Sequence, residues 1–279
     1  MSHRLRCGRF LLDLSKPLVM GIVNLTDDSF SGDGLSGDLS AVVAQADRMI
    51  AEGADILDLG AESSRPGALP VPPDQELARV VAAVEALRGR GIPLSVDTVR
   101  PEVMQAALKA GVDLVNDIAA LRVPGAIEAV AGSAAAVCLM HMQGQPRSMQ
   151  EAPTYGDVVQ DVKTFLAARV AAAENAGIAR DRIVLDPGFG FGKTTDHNWE
   201  ILRRLDEFGQ LGLPLLVGLS RKSMLGSVTG RDPGERQAAS AAAALLAVQR
   251  GARIVRVHDV AATRDALAVL AAVQDQQGE

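Results

Sequence analysis

The sequence predicts a single α/β domain: a TIM (β/α)8 barrel over residues 17–273, with a short N-terminal β-hairpin at 1–16 and a polar tail at 274–279. Three observations carry that prediction. A unit of helix, glycine, short apolar strand and polar residue recurs until eight strands are counted. Strands separated by helices run parallel with right-handed crossovers, and eight such units point to a closed barrel rather than a doubly wound sheet. The 279 residues suit one barrel, and no linker divides them.

The elements follow in order. Residues 4–14 alternate weakly around Gly8, as a small hairpin does. Residues 17–24 form the first buried strand. Residues 26–38 are rich in Gly, Asp and Ser, with Phe30 the one apolar residue of note, and read as a long loop. Ser40 is the expected N-cap of a helix to Glu52, with Gly53 at its C′ position. Later strands are read at 56–59, 93–97, 114–117, 134–140, 183–186, 215–220 and 254–258. Residues 66–73 and 144–153 read as further long loops.

The stretch 183–193 carries the densest signal. An apolar strand stops at the lone carboxylate Asp186; Pro187 ends the ladder, and Gly188, Gly190 and Gly192 alternate with Phe189 and Phe191 before Lys193. Gly192-Lys193-Thr194 resembles the end of a phosphate-binding P-loop, but that motif needs a Gly where Pro187 stands, so the P-loop is rejected. Alone, the stretch reads better as a structural turn. It gains chemical meaning because other strands also end in polar residues.

Composition narrows the function. Net charge is −6, and no basic run interleaved with aromatics supports nucleic-acid binding. An anion would have to be held by a local cluster of cations. Cys7 and Cys138 stand in no metal-ligand spacing and read as reduced thiols of a cytoplasmic protein. The longest helical apolar run, 238–248, is too short to span a bilayer, so no membrane partner is expected.

In a barrel the C-terminal strand ends share one face, where chemistry sits. They carry Asn24; Glu62, Ser64 and Arg65; Asp97; Asn116; His141; Asp186; Arg221 and Lys222; Arg256 and His258. Asp58, Glu62 and Asp117 taken singly read as ordinary solvated strand ends, and His141 as a buried, hydrogen-bonded imidazole. Asp97, Asn116, Asp186 and Lys222 together suit a flat heterocycle with N–H donors on its edge. Asn24, Arg256 and His258 form the obvious anion pocket, since the eighth strand neighbours the first, and Asn24 could also help hold a hard cation such as Mg²⁺. Ser220 lacks the closing glycine of a nucleophile elbow and is not read as a nucleophile.

In chain order, the stretches 20–30, 62–67, 95–98, 116–118, 141–144, 186–193, 220–223 and 256–260 resemble the motifs of the dihydropteroate synthase family, and they cover nearly the whole chain after Lys16. The resemblance implies a transferase of folate biosynthesis and a sulfonamide target. Dihydropterin pyrophosphate would condense with p-aminobenzoate, with Mg²⁺ as cofactor, in a cytoplasmic homodimer. It places Asp97, Asn116, Asp186, Lys222 and Arg256 round the pterin, with Asp97, Lys222 and Arg256 as electrostatic stabilisers. It places Asn24, Arg256 and His258 on the pyrophosphate, with Asn24 towards the metal. Phe30, Ser64, Arg65, Pro66, Phe191 and Ser223 would surround the aminobenzoate. The chain departs from the family pattern at Asp27, where Pro is usual, at Ser64, where Thr is usual, and at Asp33, an acid one place late. Two alternatives remain beside this reading: a pterin-binding paralogue without turnover, and a pterin-dependent methyltransferase domain.

Overall fold

The computed structural model describes residues 4–25, 39–61, 71–144, 149 and 152–275. The chain opens with an antiparallel pair, β1 (Arg4–Cys7) and β2 (Phe10–Asp13). Eight parallel strands follow: β3 (Leu18–Asn24), β4 (Ile56–Gly60), β5 (Leu94–Asp97), β6 (Leu114–Asp117), β7 (Ala136–Met140), β8 (Ile183–Asp186), β9 (Leu215–Val217) and β10 (Ala252–Val257). They close into a barrel in sequence order, with β10 pairing β3. Nine helices accompany them among the described residues: α1 (Leu39–Ala51), α2 (Pro73–Leu87), α3 (Pro101–Ala110), α4 (Ala126–Ala131), α5 (Val158–Asn175), α6 (Thr195–Arg203), α7 (Ser223–Thr229), α8 (Gln237–Gln249) and α9 (Val260–Asp275).

Strand alternation divides the core in two. Val19, Leu57, Leu59, Val96, Val115, Leu139, Leu185 and Val255 pack outward with the helices. Met20, Ile56, Leu114, Ala136, Cys138, Val184, Leu216 and Ile254 fill the barrel interior together with Leu5, Cys7 and Leu14. The hairpin is therefore a plug that packs into the barrel's apolar floor. The polar positions lie further along the same strands, towards their C-terminal ends.

Asp113, just before β6, ties the plug to the floor. Its carboxylate accepts from the Arg9 backbone N (3.1 Å), Arg9 Nε (3.0 Å), Arg9 Nη2 (2.9 Å) and the Leu94 backbone N (3.1 Å). The Asp113 carbonyl takes the Cys7 thiol at 3.4 Å.

Several boundaries differ from the sequence reading by a residue or more. The seventh strand stops at Val217 rather than Ser220, because the backbone and side chains of the next residues bond to α8 and to the residues after β10 rather than to a ladder. Ser40 lies inside α1, which is already helical at Leu39, while Gly53 does follow that helix and Ala54 N bonds back to Met49 O. The last helix runs to Asp275, so the polar tail begins within it. The loop at 26–38 and most of 66–73 and 144–153 lie outside the described residues.

Asp113→Ala would leave the Leu94 and Arg9 donors without their acceptor. The expected loss is about 2–4 kcal/mol of unfolding free energy, measured by urea denaturation, with half-exposed Arg9 contributing least. A loss below about 1 kcal/mol would mean that apolar packing alone holds the plug.

Candidate functional site

The site is built on a carboxylate within an apolar strand. Asp58 of β4 shares the inward parity of Ile56 and is fully buried. It accepts from Ser95 Oγ (2.5 Å), Asn116 Nδ2 (3.1 Å) and Arg256 Nε (2.5 Å). Arg256, projecting from β10, also donates through Nη2 to Asp97 at 2.8 Å. Strands β4, β5, β6 and β10 are thus joined by one network across the barrel.

The electrostatics follow from burial and charge count. Burial pushes the Asp97 carboxyl up to about 7; Arg256 pulls it down, and neighbouring Asp58 pushes it up. Burial works against the Arg256 charge, but Asp58 and Asp97 more than offset it, so its pKa stands above the usual value. The guanidinium stays charged, and two carboxylates face it.

Asp186 closes β8. Its Oδ1 accepts the Gly188 N–H at 2.7 Å, and burial raises its pKa against the pull of that bond and of Lys222. The following loop lies directly against the backbone at 141–143. A Cβ on Gly188 would stand 1.9 Å from the His141 carbonyl oxygen, and one on Gly192 would stand 2.3 Å from that of Gln143; both have positive φ. Lys193 locks this arrangement from within. Its buried Nζ reaches Gly188 O (2.8 Å), Phe191 O (3.0 Å) and His141 Nδ1 (2.9 Å). Burial, then Lys193, pushes the His141 pKa down to about 3, so the ring is a neutral acceptor. His141 is therefore a buried, hydrogen-bonded imidazole.

Lys222 stands over the other side of the loop. Its Nζ donates to Phe189 O at 2.7 Å and lies 4.2 Å from the Phe191 ring centroid. Burial pushes its pKa down to about 8 while Asp186 pulls it up. Phe191 joins Ile118, Met140, Met142 and Met149 in an apolar wall. Ser223 opens α7 and is exposed.

A second cluster lies where β10 meets β3. Asn24, Arg221 and His258 line a cavity of about 320 Å³ with Gln45 and Arg48 of α1. Arg256, expected in this anion pocket, does not line it; its guanidinium turns towards Asp58 and Asp97. The structure places Arg221 there instead. Of the other expected residues, Phe30, Ser64, Arg65 and Pro66 lie outside the described residues, as do Glu62 and Asp33.

Two strand-end acids are not solvated, contrary to expectation. Asp58 is the network's centre. Asp117 is fully buried and accepts the Ala119 and Leu121 N–H groups at 2.7 Å each, shaping the turn after β6. The signal for Asp58 was present in the sequence: a charge at inward parity inside Ile56-Leu57-Asp58-Leu59. The sequence marks Arg221 as a polar strand end at the barrel mouth but not as a member of this cavity, because its direction is set by a φ of 60°.

Comparison with known proteins identifies the family. Residues 20–258 match the family described as pterin binding enzyme. The dihydropteroate synthase of Escherichia coli strain K12 is 50% identical over 262 residues, 94% of this chain and 93% of the relative. The crystal structure of Burkholderia cenocepacia dihydropteroate synthase complexed with 7,8-dihydropteroate is 54% identical, with a TM-score of 0.91 over 98% of this chain and 97% of that one. Xanthomonas albilineans dihydropteroate synthase with 4-aminobenzoic acid is 52% identical, with a TM-score of 0.91 over 98% and 99% of the two chains.

Lys193→Met tests the loop lock. Four buried acceptors would lose their donor, for an expected loss of about 2–4 kcal/mol in denaturant unfolding. The pH dependence has a definite sign. Burial lowers the folded Lys193 pKa to about 7, while the unfolded side chain keeps its proton up to the ordinary 10.5. The unfolded chain binds more protons between these values, so this group adds stability as pH rises through that window. The variant should lack that increment; an unchanged slope would remove the assignment.

Proposed function

The chain belongs to the dihydropteroate synthase family of pterin-binding enzymes, and from that premise we propose how its residues carry the reaction. It is a transferase that joins 6-hydroxymethyl-7,8-dihydropterin pyrophosphate to p-aminobenzoate, yielding 7,8-dihydropteroate and pyrophosphate. The observation that carries the reading is the Asp58–Arg256–Asp97 network next to Asn116, with Asp186 and Lys222 at the adjoining strand ends.

A pterin presents a row of N–H donors along one edge and a flat face. Asp97, Asn116 and Asp186 receive the edge, and burial of these carboxylates favours a donor-rich ligand over an empty dry site. Arg256, fixed edge-on by two acids, offers its plane to the ring face. Lys222 donates to the ring from the loop side. The bond from the pterin methylene carbon to the pyrophosphate oxygen breaks, and its electron pair leaves with pyrophosphate. The positive charge left behind spreads into the ring, close to the carboxylates. The neutral arylamine nitrogen then attacks that carbon, and the resulting ammonium passes its proton to water. No protein nucleophile takes part, and positioning governs the rate.

Asn24 and His258 hold the pyrophosphate beside Arg221. The Mg²⁺ expected from the family resemblance fits this donor set in a limited way. Among the described residues no three His, Cys, Asp or Glu side chains are grouped to cage a metal. Asn24 offers one oxygen donor, which suits an ion that keeps its waters and phosphate oxygens. When bound, Mg²⁺ neutralises charge on the leaving pyrophosphate. Phe191 and Ser223 form the described part of the aminobenzoate pocket. A homodimer belongs to the same proposal: Leu246 on the Ala-rich α8 and Val228 on α7 are exposed apolar groups that an interface would cover. Among the described residues, no helix is long and apolar enough to cross a membrane.

The decisive assay follows pyrophosphate release from purified protein with both substrates and Mg²⁺. Release should require aminobenzoate, whereas pterin binding without release would indicate a silent paralogue. With burial holding Lys222 near 8, kcat/KM should fall as pH rises above about 8, and Lys222→Arg should move that limb upward. An alkaline limb that stays in place would exclude Lys222 as its source. Asp186→Asn should weaken pterin binding in calorimetry by roughly tenfold to a hundredfold, the worth of a charged hydrogen bond. Unchanged affinity would sink the role given to Asp186.

A further inference from the structure

Ser220 and His258 follow the ends of adjacent strands β9 and β10. The Ser220 Oγ lies 3.0 Å from His258 Nδ1 and 3.2 Å from the His258 backbone nitrogen. The serine is buried, and among the described residues both partners of its hydroxyl belong to His258. A backbone N–H only donates, so Oγ accepts that bond. If Nδ1 also donated, the oxygen would accept twice and its own proton would need another acceptor in a buried position. If Ser220 donates to Nδ1, every group is matched and the neutral ring carries its proton on Nε2.

We propose that Ser220 is a positioning residue that holds His258 as the Nε2–H tautomer, so that the imidazole presents a donor to the cavity it shares with Asn24 and Arg221. This deepens the reading of that cavity as the pyrophosphate site and rests on it for the identity of the anion. The tautomer matters because a lone pair on Nε2 would face phosphate oxygens and repel them. With Nδ1 occupied by the serine, an N–H faces them without the ring having to acquire a charge.

The neighbouring pair strengthens the same tie. Arg221 donates to Asp259 through Nη2 (2.7 Å) and Nε (3.2 Å), and its backbone N–H bonds to Ser240 Oγ of α8 at 3.0 Å. Residues 220 and 221 thus meet 258 and 259 in register. The left-handed turn at Arg221 lets Ser220 face His258 while the next residue, Lys222, faces the Phe189 carbonyl.

Long-range nitrogen–proton NMR of the full chain with isotope-labelled histidine reads the tautomer directly. At a pH above the ordinary imidazole range, wild-type His258 should be protonated on Nε2 and not on Nδ1. Inorganic pyrophosphate should shift the Nε2–H signal. Ser220→Ala should mix the tautomers and weaken pyrophosphate binding roughly threefold to tenfold, as loss of one neutral hydrogen bond does, and Ser220→Thr should restore both. A wild-type proton on Nδ1, or a Ser220→Ala spectrum identical to wild type, overturns the proposal. Should Ser220→Ala fail to fold, the wild-type spectrum alone decides. If the tautomer is as proposed but pyrophosphate leaves the ring signals unmoved, the role of Ser220 stands and the reading of His258 as an anion ligand falls.

Discussion

The pairing of Arg256 with Asp58 and Asp97 is the constraint on which the site depends. A buried ion pair is a poor source of stability, since removing both charges from water costs about as much as their attraction returns. Its value here is geometric. Asp58 receives Ser95, Asn116 and Arg256 at once, so three strands have their inward side chains oriented by one carboxylate. The charge count is also unbalanced, with two acids against one guanidinium. Burial chiefly, with Asp58 adding to it against the pull of Arg256, raises Asp97 and leaves a region suited to electron-poor, donor-rich ligands.

The apolar floor makes such a network affordable. Leu5, Cys7 and Leu14 of the hairpin pack on Met20, Ile56, Leu114 and Ile254, filling the interior below the polar layer. A floor open to water would weaken the hydrogen bonds above it and let Arg256 find other partners. The thiol of Cys138 shows the same dryness: burial, then the nearby acids, raises it well above the usual range, so it is an inert filler rather than a nucleophile.

Much of this was legible in the sequence. All eight barrel strands fall where apolar runs follow glycines or end in polar residues, and Asn116, Asp97, Asp186 and Lys222 are brought together as their positions implied. Periodicity reports which side of a strand a residue faces but not which partner it meets across the barrel. Asp58 reads as a solvated end because its partner Arg256 lies at the far end of the chain, and Arg256 reads as a ligand of both pterin and phosphate, the latter because its strand neighbours Asn24. Its direction was decided by two acids on other strands. The turn at Arg221 was likewise hidden, since a positive φ at an arginine has no sequence mark.

The two lysines flanking the glycine loop show why residue type and spacing stop short of role. Lys193 and Lys222 are both driven below the ordinary lysine value by burial, and both lie within reach of the Asp186 charge. Their difference lies in what their ammonium groups meet. Lys193 is taken up by two loop carbonyls and a neutral imidazole, all internal to the scaffold. Lys222 has one loop carbonyl and an aromatic face at the mouth of the barrel. A ligand could displace the contacts of Lys222 without dismantling the loop, whereas displacing those of Lys193 would release the glycine turn that carries Phe191. The lysine beside the phosphate-like motif is therefore fixed in the scaffold, and the lysine with the looser set of partners is the one placed to meet a ligand.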